Sequence, residues 1–248
     1  MALIEIDSLS KVFKKDFTKK KVCALNSLTL QVQEGEVFGF LGPNGAGKST
    51  TIKLLLNLIR PTSGSISIDG KLASDKSVRR MIGYLPENPY FYDHLSAKEL
   101  LWFGGKSCDL DHKSILERTE SLLKMLDLTD AMNRPLRSYS KGMVQRAGLA
   151  LALVHDPNIL VLDEPMSGLD PMGRKKVFDL ILKLKEEGKT VFFSSHILHD
   201  IERLCDRAAI LINGGLVRSI NVKQDLPSGK TLEDVFFEEV SKSGGLRE

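Results

Sequence analysis

The sequence predicts an α/β fold with a mixed, mostly parallel sheet, an antiparallel β part at the N-terminus and an inserted α-helical lobe. Three observations carry this. "LIEIDSL", "SLTLQV", "EVFGFLG" and "SISIDG" alternate or run apolar between Gly-containing turns, so the first part of the chain is strand-rich. Strand signals return late, in "NILVLDEP", "TVFFSSH" and "AAILING", and helical stretches such as "GRKKVFDLILKLKEEG" join them, the alternation of a parallel sheet. Between these parts, "SAKELLWF" and "SILERTESLLKMLDL" have the helical period, with Ile115, Thr119, Leu122 and Leu126 on one face.

The expected organisation is one domain over residues 1–248: a core of 1–87 and 157–215, a helical lobe of 88–156 and a short extension of 216–248. A chain of 248 residues can bury a full core. Its hydrophobic content of 42% and charged content of 27% are those of ordinary globular proteins, and a net charge of +3 gives no electrostatic reason to expect nucleic acid. Cys23, Cys108 and Cys205 have neither zinc spacing nor an even count, which fits reduced thiols in a cytosol. Glu5 and Asp7 stand where an export signal needs an apolar core. The apolar run ending at Val154 is far shorter than the roughly 20 residues of a membrane span, so work at a membrane would need another chain.

The first chemical motif follows the strand "EVFGFL". The run Gly42, Pro43, Asn44, Gly45, Ala46, Gly47, Lys48, Ser49 and Thr50 fits G-x-x-x-x-G-K-[ST] and opens a helix, which is the context of a P-loop. Small residues let backbone N–H groups wrap a β-phosphate, and the helix N-terminus adds a favourable field. Lys48 would reach the β/γ oxygens and the Ser49 hydroxyl would ligate Mg²⁺. No G-x-G-x-x-G can be threaded through "GPNGAGKST", which excludes the dinucleotide reading.

The second motif is "ILVLDEP". Four apolar residues carry a buried strand to its carboxyl end, where Asp163 would hold Mg²⁺ through water and Glu164 would accept a proton from the attacking water. A third stretch, "SYSKGMVQRAGLALALV", reads as a Ser cap and a Gly opening an apolar helix, a second place to hold an anion.

The order "GPNGAGKST", "YLPEN", "YSKGM", "ILVLDEP", "SGLD", "SSH" resembles the ATP-binding subunit of an ABC transporter over nearly the whole chain. The resemblance implies ATP and Mg²⁺ as ligands, ATP hydrolysis as the activity, and transmembrane permease subunits as partners. It also implies a second copy or paralogue of the ATPase subunit, closing face to face around two ATP molecules. Ser140 and Gly142 of "YSKGM" would then serve the partner's ATP, Asp170 of "SGLD" would lie at the dimer seam, and His196 would contact the γ-phosphate. Glu87 takes the place of the family's Gln as a Mg²⁺ or water contact. Phe13 in "SKVFKK" is the adenine-stacking candidate, with Phe17 as the alternative. Lys141 and Met143 depart from the family's Leu-Ser-Gly-Gly-Gln, bearing on the ribose contact and adding a charge beside the phosphate.

The resemblance places the chain at the cytoplasmic face of a membrane, and "TLEDVFFEEV" is similar to the ends of exporter-type subunits, which points to export of a drug, ion, lipid or peptide. A soluble ABC-type ATPase acting on ribosomes or DNA is the alternative. A P-loop kinase would leave "YSKGM" and "SGLD" without purpose.

Several side chains carry plainer expectations. Ser194 or Ser195 would cap a helix beginning near Ile197, and the His196/His199 pair lacks a third metal ligand. Tyr90, Phe91 and Tyr92 either form a docking groove for a permease helix or fill the helical lobe's own core. Trp102 and Phe103 are expected in the core, and Lys14 to Lys21 in a solvated loop. Thr231 would cap the last helix, with Asp234 as its capping-box partner.

Overall fold

The structure is a computed structural model that describes residues 2–14, 21–226 and 229–242. In chain order the elements are β1 (Ala2–Lys14), β2 (Lys21–Gln33), β3 (Val37–Leu41), α1 (Lys48–Leu55), β4 (Ser63–Ile68), β5 (Lys71–Leu72), β6 (Ile82–Leu85), α2 (Ala97–Ser107) and α3 (His112–Met125). They continue with α4 (Lys141–Leu153), β7 (Ile159–Asp163), α5 (Pro171–Glu186), β8 (Thr190–Ser195), α6 (Leu198–Leu204), β9 (Arg207–Ile212), β10 (Gly215–Asn221) and α7 (Leu232–Lys242). The architecture is α/β, with a mixed, mostly parallel set of strands, an antiparallel N-terminal sheet and a run of helices between β6 and β7. The chain divides into two compact units, residues 1–79 with 190–248, and residues 80–189.

In the first unit the antiparallel sheet runs β2-β1-β4-β5. Its two 13-residue strands carry register shifts beside Ser8 and Ser27, both with left-handed backbone. The second sheet sets β3 parallel to both β8 and β9, while β10 closes antiparallel on β9. Every residue of β3 and β8 is buried, which is why neither alternates apolar with polar residues, and the Thr190, Ser194 and Ser195 hydroxyls of β8 are buried with the rest. Phe38 and Phe40 both contact the ring of Phe192, at centroid distances of 5.8 and 5.3 Å. Thr231 and Asp234 exchange the expected reciprocal hydrogen bonds at the start of α7. The helix after β8 differs from expectation: it begins at Leu198 with Ile197 at the cap position, and Ser195 Oγ accepts the Ile197 N–H at 3.0 Å without capping the helix.

In the second unit β6 and β7 pair in parallel. Ser96 and Glu99 form a capping box at the start of α2, a signal present in "SAKE". On α3, Ile115, Thr119 and Leu122 are buried, and Leu126 is buried just beyond its end, as the period predicts. Trp102 and Phe103 do not join the core. The inner face of α2 belongs to Ala97, Leu100, Leu101 and two glycines: a Cβ on Gly104 would lie 2.3 Å from Leu151, and one on Gly105 2.7 Å from Ile115. Trp102 therefore points to the flank, half-buried against His112 and Lys106, and Phe103 is 59% exposed. The core reading of the 90–92 aromatics fails likewise for Tyr90 and Tyr92, which are 98% and 68% exposed.

Thr119 Oγ1 is buried and has no hydrogen-bond partner among the described residues. An unpaired buried hydroxyl costs about 1–3 kcal/mol, and a methyl of the same shape removes that cost. Thr119→Val should therefore stabilise the chain by about 1 kcal/mol, seen as a higher thermal unfolding midpoint; a lower midpoint would contradict the burial geometry.

Candidate nucleotide site

The P-loop is pinned from behind. A Cβ on Gly42 would come 2.5 Å from the Leu211 carbonyl oxygen on β9, and one on Gly47 would come 2.7 Å from the Ala24 carbonyl oxygen on β2. Gly47 also takes a φ of 108°, a left-handed value that only glycine adopts without strain. At Gly45, by contrast, a Cβ would meet nothing within 4 Å, so the loop is open there. Gly47 caps α1 without a side chain and no acid follows in the first turn, which leaves the positive end of the helix suited to an anion.

Lys48 is buried, and its Nζ donates to the carbonyls of Gly42 at 2.6 Å and Pro43 at 3.3 Å. The loop thereby holds the ammonium within its own ring. Thr51 Oγ1 donates to the Gly47 carbonyl and locks the first helical turn. Asn44 is exposed, Ala46 is buried, and Ser49 and Thr50 are half-buried at the helix start. β3 and β8 run side by side with Leu41 opposite Ser195, so the loop and the exposed His196 leave the sheet at the same end. Phe13 pairs with Val22 where β1 leads into β2, with Lys11 Nζ 5.0 Å from its ring centre. Phe17 and residues 15–20 lie outside the described residues.

The second unit carries the acids. Leu85 on β6 pairs with Leu162 on β7, so exposed Glu87 and the buried pair Asp163 and Glu164 emerge from one end of that strand pair. The Tyr84 phenol is pushed up to about 12, by burial first and then by the Asp163 charge. Glu164 has a φ of 50°, a left-handed backbone that costs a non-glycine residue about 1–2 kcal/mol and persists only where surroundings enforce it.

Ser140 is the N-cap of α4, its Oγ accepting the Met143 N–H at 3.3 Å, and Gly142 follows in the first turn. Tyr139, where the family has Leu, is buried and donates to the Ala131 carbonyl at 2.8 Å, anchoring the loop before the cap. Asp170 caps α5 by accepting the Gly173 N–H at 2.8 Å, with Pro171 at the first helical position. The sequence reading missed Gln145, which is 1% exposed and donates from Nε2 to the Pro165 carbonyl at 3.3 Å. Its one visible signal is an amide just before the apolar run of α4, across Arg146 from it.

The donor chemistry fits the implied ligands. In the first unit the pinned loop has the form of a phosphate cradle with the Ser49 hydroxyl at its helix start, and in the second unit Asp163 and Glu87 carry carboxylates, the hard oxygens that Mg²⁺ takes.

Such a loop between a buried strand and a helix, in a chain whose other buried strand ends in an acidic pair, defines a P-loop ATPase. Comparison with known proteins narrows the class. A family described as ABC transporter matches residues 25–167, and the chain belongs to that family. It is 46% identical over 239 residues to an uncharacterised ABC transporter ATP-binding protein of Synechocystis, covering 94% of this chain and 67% of the relative. Over 200 residues it is 42% identical to the bacitracin transport ATP-binding protein BcrA of Bacillus licheniformis, covering 79% of this chain and 64% of BcrA. Among solved structures, the dimeric post-hydrolysis state of the ATP-binding cassette MJ0796 bound to ADP and Pi matches with a TM-score of 0.81 and 27% identity, covering 88% of this chain and 98% of that one. The chain is thus an ATP-hydrolysing subunit of the ABC transporter type.

The two glycines of the loop should respond differently to a methyl group. Gly45→Ala adds only backbone strain of about 1 kcal/mol, whereas Gly47→Ala adds a clash with Ala24 and should cost more than about 2 kcal/mol. Thermal unfolding should rank Gly47→Ala well below Gly45→Ala, and equal midpoints would refute the pinning.

Proposed function

We propose that two copies of this chain, or this chain and a paralogue, close around two ATP molecules and that this closure drives permease subunits at the cytoplasmic face of a membrane. The observation that carries the reading is the division of labour among the residues. Lys48, Asp163 and Glu164 are buried in their own chain, while Ser140 is an exposed helix cap. An exposed cap of this kind suits the phosphate of a nucleotide held by another chain. The dimeric cassette among the solved structures supports the same arrangement.

The P-loop N–H groups and Lys48 hold the β- and γ-phosphates, Lys48 exchanging its carbonyl contacts for phosphate oxygens. Ser49, Asp163 and Glu87 would hold Mg²⁺, which when bound neutralises charge on the phosphate oxygens. Phe13 presents its ring to the adenine. Glu164 takes a proton from the attacking water as its oxygen bonds to the γ-phosphorus and the bond to the bridging oxygen of ADP breaks. His196, exposed at the end of β8, orients that water and the γ-phosphate. Ser140 and Gly142 complete the site of the partner, and Asp170 lies at the seam.

Closure is favoured because the closed pair makes contacts to ATP that the open pair lacks. Exposed Tyr90 and Tyr92 suit an aromatic landing for a permease helix. No helix among the described residues is long and apolar enough to cross a membrane, which is consistent with a span supplied by other chains. For cargo we favour export of a drug, ion, lipid or peptide, a range that the relative named for bacitracin transport supports.

Glu164→Gln should bind ATP, lose turnover by about 10²–10⁴-fold and accumulate as a dimer with ATP and Mg²⁺ in light scattering. Only monomer under those conditions would overturn the closure model. Ser140→Asp should leave ATP binding to the single chain intact while abolishing dimer-dependent turnover; unimpaired turnover would count equally against it.

A further inference from the structure

Glu164 is held by contacts on the segment that follows it. Its carbonyl accepts the Ser167 N–H at 3.0 Å, and the Met166 carbonyl accepts the Leu169 N–H at 3.4 Å, so residues 164–169 form a run of tight turns. Pro165 has no N–H, so its carbonyl is the only backbone hydrogen-bonding group that residue offers. That carbonyl is held by Gln145 Nε2 in α4, at 3.3 Å and out of contact with solvent.

Two further contacts join the same helix turn to the same segment. The Lys141 side chain lies across Gly168, where a Cβ would come within 2.8–2.9 Å of its Cδ, Cε and Nζ. Gly142 faces Leu169, whose Cδ2 would sit 3.3 Å from an added Cβ. The turn that begins at Ser140 and the segment that begins at Glu164 are therefore latched at three places, of which Gln145 is the buried hydrogen bond.

A buried amide among the buried residues of α4 is costly unless its hydrogen bonds matter, since a methionine would fill the same space. The left-handed backbone of Glu164 needs such a fixed neighbour. The geometry points to Gln145 as a positioning residue that holds the Glu164 carboxylate at its working angle and ties it mechanically to the Ser140 turn. This rests on the reading of Glu164 as the base. A partner's nucleotide that engages Ser140 would thereby act on the base of the same chain through α4.

The test measures ATP turnover of the full chain with Mg²⁺. Gln145→Met keeps the side-chain volume and removes the donor. It should lower kcat about tenfold, the rate equivalent of one hydrogen bond, and leave the KM for ATP within about twofold. In the Glu164→Gln background the same change should add no further loss, because Gln145 acts through Glu164. A Gln145→Met rate within twofold of the unchanged chain, a loss that appears in KM instead of kcat, or a loss that multiplies with Glu164→Gln would each overturn the inference. If Glu164→Gln alone keeps full turnover, the reading of the base itself falls and the inference with it. Should Gln145→Met not fold, Gln145→Glu replaces it with nearly the same shape. Hydrogen exchange in the unmutated chain also decides: amides of residues 166–170 should be protected like those of the first turns of α4, and free exchange there would refute the latch.

Discussion

The nucleotide-binding end of this protein depends on a backbone that passes where no side chain fits. Gly42 and Gly47 run against the carbonyl oxygens of Leu211 and Ala24, close enough that a methyl group at either would collide. The strands that carry the oxygens are themselves fixed, β9 between β3 and β10 and β2 by its long pairing with β1. Each fully buried large apolar side chain there contributes about 1.5–3 kcal/mol, and Phe38, Phe40 and Phe192 contribute as a contiguous aromatic group. A loop held by such a sheet is formed before any phosphate arrives, so binding does not have to fund its ordering.

The same principle governs the charges. Lys48 is buried, a state that an ammonium tolerates only with close acceptors, and the loop supplies two carbonyls. In the other unit, Asp163 and Glu164 are buried at the end of β7, and the neighbouring Tyr84 phenol is kept protonated far above neutral pH by burial and by the Asp163 charge. Asp127 ties the helices behind them: it pairs with Arg146 of α4 and Lys176 of α5, and the Lys176 contact foremost holds its carboxyl below the usual range. These contacts fix α4 and α5 around the segment between them.

Much of this was legible in the chain. The strand–loop–helix of the P-loop, the apolar run into Asp163, the Ser140 cap and the Thr231–Asp234 box each state their structure in a few adjacent residues, because local geometry alone decides them. Phe103 was misplaced for the opposite reason. Its neighbours Gly104 and Gly105 are the residues that approach Leu151 and Ile115, and an aromatic beside two glycines looks more like core than they do. Gln145 was overlooked because its partner is a proline carbonyl twenty positions away, and no short pattern records that pairing. The left-handed backbone at Glu164 is equally silent in sequence, since the residue is there for its carboxylate and not for its φ.

Exposure sorts the site residues into two groups, and the sorting bears on how the chemistry must be completed. Lys48, Asp163 and Glu164 are buried and fixed by their own chain, whereas Glu87, Ser140, Asp170 and His196 face solvent. A hydrogen-bond donor or dipole stabilises developing charge strongly only where water is excluded. Solvated, the second group contributes little, because bulk dielectric screens it. The Ser140 turn presents a capped helix end to solvent. A chain built this way keeps the lysine of its phosphate loop and its acidic pair buried within its own fold.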